Sequence, residues 1–275
     1  MQAPTQAPAQ PPGQVLEFSS LTAPQLNAMA ARDAIVIVPV GSTEQHGPHL
    51  PVMVDYRLAT EVARRGAGKL AAAGHPVLVT PTVWTGFAEH HMELGGTITL
   101  DYAVFYGVIR GVVRSLARDG FRRICVLNGH GGNIAPLVVA VSELTVELKI
   151  PLVYFSYWEI AEAATKSILE YQDKILHACE GETSMMMAVE PALIDRSRLH
   201  EAKGPDQDRP EIEALVGRNV FRWQTLNARS RRGVIGNGAA GTPDKGERLL
   251  AAMSDRLAEV LGTAELWTAK ASERW

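Results

Sequence analysis

The sequence predicts an α/β fold: a mainly parallel central sheet with helices on both faces. Three observations carry that expectation. Residues 34–40 (Ala-Ile-Val-Ile-Val-Pro-Val) are apolar with no polar alternation, the pattern of a strand buried on both sides. Strand-length runs then alternate with helical segments, the order that builds parallel sheets. Three polar loops bearing Gly and His each leave a predicted strand at its carboxyl end, where such sheets bind ligands.

The elements follow in order. Residues 21–31 read as a short helix capped by Ser20 or Thr22. The strand 34–40 runs into the loop 41–51, GSTEQHGPHLP, punctuated by Gly and Pro. Residues 55–73 form a helix stopped by Gly74. A second strand, 76–80, precedes the His- and Gly-bearing loop 85–97. A helix over 101–119, with Asp101 as its N-cap, leads to a third strand, 123–127. The third polar loop, NGHGGN (128–133), opens a helix over 134–148, and 152–157 is a fourth strand. Residues 202–244 read as irregular, and 245–263 as a closing helix.

The whole chain has 275 residues, 46% hydrophobic and 21% charged, with a net charge of −3. That suits a single domain over 15–275, preceded by a Pro/Gln/Ala-rich tail at 1–14 expected to be disordered. No basic run stands out, so no nucleic-acid partner is expected. The sequence shows no stretch of about 20 apolar residues and no signal-peptide pattern, so no membrane partner is expected and a cytoplasmic location is. Two cysteines, Cys125 and Cys179, exclude a disulfide framework. There is no G-x-S-x-G elbow, no P-loop and no H-E-x-x-H helix.

The histidines carry the chemical signal. Six of the eight lie in short clusters with Glu, Asp, Gly or Asn. Glu44 and His46, two apart in an extended segment, point the same way. Asp55 stands just before a helix, where a carboxylate can bridge two cations. His130 sits between glycines whose freedom lets a metal or substrate approach. Farther on, HACEGETS supplies His177 and Glu182, with Glu180 as a competing donor. The set Glu44, His46, Asp55, His130 and Glu182 mixes imidazole and carboxylate without thiolate. It suits two divalent ions, zinc or manganese with iron as a further option, that activate a water against a carbonyl or C=N carbon. His49 and His90 are expected behind the ligands or at the surface, His75 and His200 at the surface. Cys125 and the Met185–Met187 run are expected to be core.

The segments 39–55, 89–100, 127–133, 156–159, 177–187 and 244–250 together resemble the creatininase (creatinine amidohydrolase) family. The resemblance spans about Leu21 to Leu261. It implies a three-layer α/β/α fold, a binuclear centre, hydrolysis of non-peptide C–N bonds in a small amide, and a homo-oligomer, commonly a hexamer. Carried over, Glu44, His46, Asp55 and His130 match metal positions, with Asp55 bridging. His177 matches the proton-transferring His and Trp158 a Trp lining the pocket. His91, Gly131 and Gly132 are expected beside the substrate.

There is a departure. True creatininases carry a second-metal Glu in G-H-Y-E-N, where this chain has Gly132. Glu182 is the expected replacement, as ligand and as proton donor alongside His177. The GHGGN form is closer to branches acting in mycofactocin maturation or on formamides. The main expectation is an amidohydrolase acting on a cyclic amide or formamide. The alternatives are a peptidase maturing a small ribosomal peptide, or a metal-binding protein without catalysis.

Overall fold

The computed structural model describes residues 15–205 and 222–268; the expected tail at 1–14 lies outside them. Five parallel strands form one sheet: β1 (Leu16–Glu17), β2 (Ile35–Val40), β3 (Val77–Val79), β4 (Arg123–Asn128) and β5 (Val153–Ser156), in the order β1-β3-β2-β4-β5. β2 pairs with β3 from Ile35↔Val77 and with β4 from Ile35↔Arg123 through Val40↔Asn128.

The helices are α1 (Ala23–Ala31), α2 (Val54–Ala72), α3 (Tyr102–Arg118), α4 (Ile134–Leu148), α5 (Glu162–Ile168), α6 (Glu180–Val189), α7 (Leu226–Arg229) and α8 (Pro243–Gly262). Thr22 closes a capping box with Gln25 on α1, and Asp101 accepts the Val104 N–H at 2.8 Å on α3. Two short elements escape periodicity. β1 has two residues and α5 seven, below the length at which a pattern can be read.

Strand alternation divides the core into two. Ile35, Ile37, Val79, Cys125 and Leu127 face one way, into α2, α6 and α8. Val36, Val38, Val40, Ile124 and Val126 face the other, into α3 and α4. The result is three layers, α/β/α, with β2 and β4 buried on both faces as their apolar runs require. The run 131–148 has length and mean hydropathy enough for a membrane span, against the expectation that no stretch does. In the fold its α4 portion turns Pro136, Leu137, Ala140 and Leu144 onto the sheet.

After β2 the chain crosses through α2 to β3 on one side. After β4 it crosses through α4 to β5 on the other. The loops at the carboxyl ends of β2 and β4 therefore diverge and leave a crevice between them, the usual ligand position in such sheets.

Candidate metal centre

The crevice is built by the loop after β2 (41–52), the loop after β3 (80–100), the turn after β4 and the N-termini of α2 and α6. Gly129 brings the third loop hard against α2. A Cβ at 129 would lie 2.5 Å from the Asp55 carbonyl oxygen and 2.8 Å from Ala59 Cβ, so only glycine permits that approach. Asn128 fixes His130, two residues on, from both sides, accepting the His130 N–H at 3.0 Å and donating to its carbonyl at 2.8 Å. Asn133 ties two loops together. Its Oδ1 accepts the Phe87 N–H at 2.9 Å and its Nδ2 donates to the Gly41 carbonyl at 3.0 Å.

All five sequence-predicted ligands converge. Glu44, Asp55 and His130 form one set whose donor atoms lie within 4.8 Å of one another, and His46, Asp55 and Glu182 form another. Both sets are buried, and Asp55 belongs to both. It sends Oδ1 to within 3.1 Å of His46 Nε2 and Oδ2 to within 3.0 Å of His130 Nδ1. Glu44 Oε2 is 2.9 Å from His130 Nδ1, and Glu182 Oε2 is 3.9 Å from His46 Nε2. Yet Glu44 Oε2, His46 Nε2 and Asp55 Oδ2 have no partner in hydrogen-bond geometry, although fully buried. Buried polar atoms are rarely left so. Lone pairs that crowd together without bonding one another fit cations held between them. The oxygen and imidazole donors, with no thiolate, suit zinc or manganese.

Charge supports this fit. Burial and the Asp55 charge raise the Glu44 carboxyl above its usual range, against the pull of His130. Burial raises Glu182 to about 8. Burial disfavours charge on His46 too, but Asp55 outweighs it and lifts the imidazole to about 9. His130 is lifted well above its ordinary value by Glu44 and Asp55, again against burial. Without a cation, protons on the two imidazoles and on Glu182 offset the crowded negative charge.

The remaining predicted residues lie around this floor. His91 Nε2 is 3.1 Å from Glu44 Oε1, so His91 backs a ligand as well as lining the cleft. His177 is partly buried, with Nδ1 3.7 Å from Glu44 Oε1 and Nε2 2.9 Å from the Gln45 carbonyl oxygen. Burial, then His46, pushes it well below its ordinary pKa. Ala178, left-handed at φ 50°, turns the chain between His177 and α6 so that its N–H reaches Glu182 Oε2 at 2.5 Å. Trp158, Gly131 and Gly132 line the cleft. Gly132 has no room for a side chain, because a Cβ there would strike the Phe87 carbonyl and His130 Nε2.

Several sequence readings change. Glu180 does not compete for the centre: it takes Lys245 Nζ at 2.7 Å and the N–H groups of Glu170 and Tyr171. His49 is buried behind α6, 2.7 Å from Thr183 Oγ1. His90 lines the cleft and stacks on His130 at 5.7 Å between ring centroids. Gln45, given no role by sequence, is a bracket. Its Oε1 accepts the Gly47 N–H, which aims Nε2 at His91 Nδ1 (3.1 Å) and His177 Nε2 (3.0 Å). Its place between two ligands in Glu-Gln-His was the available signal. Cys179 is buried with its thiol pushed up to about 12 by burial, so it is no nucleophile.

Known proteins resemble this chain in sequence and in fold. The profile of the creatininase family, described as creatinine amidohydrolase, matches residues 19–261. The chain is 32% identical to creatinine amidohydrolase of Pseudomonas putida over 187 residues, 62% of this chain and 70% of that protein. It is 30% identical over 244 residues to the mycofactocin precursor peptide peptidase of Mycobacterium tuberculosis (strain CDC 1551 / Oshkosh), 87% of this chain and 88% of that one. A solved structure named Creatininase Mn superposes with a TM-score of 0.76 at 27% identity, covering 90% of this chain and 98% of that one. Fold, buried donor sets and these relatives lead to one conclusion: the chain belongs to the creatininase family of metal-dependent amidohydrolases, which hydrolyse carbon–nitrogen bonds.

Proposed function

We propose that this chain hydrolyses a non-peptide C–N bond, of the cyclic-amide or formamide type, at a centre of two divalent ions. The observation that carries the reading is the pair of buried donor sets sharing Asp55. Glu44, Asp55 and His130 would hold one ion; His46, Asp55 and Glu182 the other, with Glu182 standing in where Gly132 leaves no side chain. Zinc or manganese fits these donors. Such ions supply a water that ionises near neutral pH and a Lewis acid for the carbonyl oxygen.

The chain's own groups do the rest. His177 has Nε2 against Gln45 and Nδ1 on the Glu44 side, and it carries a proton to the leaving nitrogen. Trp158 gives the cleft an apolar wall, and His91 holds Glu44 in place.

Peptide maturation is the second reading. The cleft, of about 650 Å³, is roomier than one small ring needs, and the mycofactocin peptidase matches along 88% of its length. A cytoplasmic homo-oligomer, a hexamer by family likeness, completes the proposal. The exposed apolar face of Val104 and Val108 on α3 with Val138 and Val139 on α4 supports association.

Elemental analysis of the wild type and Glu182→Ala tests the reading, beside a panel of cyclic amides, formamides and short peptides. The expected result is two ions per chain falling toward one, with turnover of at least one amide class. One ion in both proteins would overturn the binuclear scheme. Bound metal with no turnover across the panel would favour a non-catalytic member.

A further inference from the structure

The cleft is charged unevenly. Among the described residues that line it, the only acids are Glu44, Asp55 and Glu182, all buried on the floor. Three cations line it as well: Lys174, Arg222 and Arg229. Lys174 and Arg222 are exposed, which places them at the solvent side. No described residue forms an ion pair with either. The contrast is with α2, where Arg57, Arg64 and Arg65 all meet a glutamate. Trp158, Ile175, Leu226 and Ile235 add apolar lining. A cleft of about 650 Å³ extends well past the volume of a single small ring.

We infer that the substrate is an amide carrying an anion, a carboxylate or a phosphate, at the end away from the scissile bond, and that Lys174 and Arg222 receive it. The inference rests on the amidohydrolase reading above and adds the substrate's far end to it. The reacting amide sits on the floor, an apolar body lies along Trp158, and the anion reaches the rim. Charge-assisted contacts at the rim favour such a substrate over its neutral counterpart and draw it in from solution.

The test pairs matched compounds. 4-(2-Formamidoethyl)benzoate is compared with N-formyl-2-phenylethylamine, which lacks only the carboxylate. N-formyl-O-phosphotyramine is compared with N-formyltyramine for phosphate. Values of kcat/KM are measured for the metal-loaded wild type and for Lys174→Gln/Arg222→Gln, whose two sites are exposed and leave the core untouched. In parallel, tryptophan fluorescence follows binding of 3-phenylpropionate and 3-phenylpropanol, with and without metal. The expected result is a preference of at least about tenfold for one anion over its neutral partner, collapsing in the double variant. The pair that shows it decides between carboxylate and phosphate.

Turnover with no preference for either anion would overturn the inference and leave the amidohydrolase reading standing. So would a preference that persists in the double variant, since the anion would then be held elsewhere in the cleft. Rim-dependent anion binding without turnover of any amide would support the rim and overturn the reaction.

Discussion

Glu180 and Glu182 stand two residues apart in the first turn of α6, both buried, and their surroundings are opposite. Glu180 is fully satisfied, with Lys245 Nζ at 2.7 Å and backbone N–H groups from Glu170 and Tyr171. Glu182 receives one N–H, from Ala178, and faces His46 and Asp55. One carboxylate brings its own cation from α8; the other sits in a group short of positive charge. A buried charge persists only when paired or bound to metal. Glu180 therefore fastens α6 to α8, and Glu182 is the residue left for a ligand.

This contrast can be broken most severely at its shared neighbour. Asp55→Ala removes the carboxylate common to both donor sets, so both ions should be lost and hydrolysis should fall by at least ~10³-fold. Elemental analysis and turnover check it, and retention of both ions would end the bridging assignment.

A crossed pair of variants sharpens the comparison. Lys245→Met leaves Glu180 buried without its cation and should cost about 3 kcal/mol or more of stability while metal content holds. Glu182→Gln should do the reverse, losing one ion with little change in the melting temperature of the metal-free chain. Thermal denaturation beside metal stoichiometry reads both, and the same response from the two variants would erase the distinction.

A pH effect follows from the same charges. The folded pKa of Glu182, about 8, lies above its unfolded value. His46, at about 9, is likewise raised. In both cases the folded chain binds more protons, so the stability these two groups contribute without metal is fully present below their unfolded pKa values. It declines as pH climbs from about 5 to about 9. Glu182→Gln should flatten the lower part of that decline, and bound metal should remove most of it. Denaturant midpoints across this range are the measurement.

The smallest effect separates two adjacent glycines in the third loop. A Cβ at Gly131 meets nothing within 4 Å, whereas one at Gly132 strikes Phe87 and His130. Gly131→Ala should therefore be near neutral, and Gly132→Ala should cost about 1–3 kcal/mol with weakened metal binding. Equal behaviour of the two would mean that the loop yields.

Much of the fold was legible because its elements are long and strongly patterned. The β2 run, the helices over 54–72 and 102–118, and the Asp101 cap need only local chemistry. The convergence of the candidate donors was legible as well, because polar His-bearing loops at successive strand ends have one place to meet in a parallel sheet. β1 and α5 were not, being too short to show a period. Neither was the bracket made by Gln45, whose meaning lies in two histidines far along the chain.

The sequence by itself determined the layers and the candidate donors, since period and residue chemistry are local properties. Tertiary structure alone decided which carboxylate of α6 is free to bind. Lys245 lies 65 residues from Glu180, and only packing of α8 on α6 brings its charge there. It also placed Lys174, Arg222 and Arg229 around one cleft. Charge compensation depends on distance in space, and spacing along the chain does not encode it.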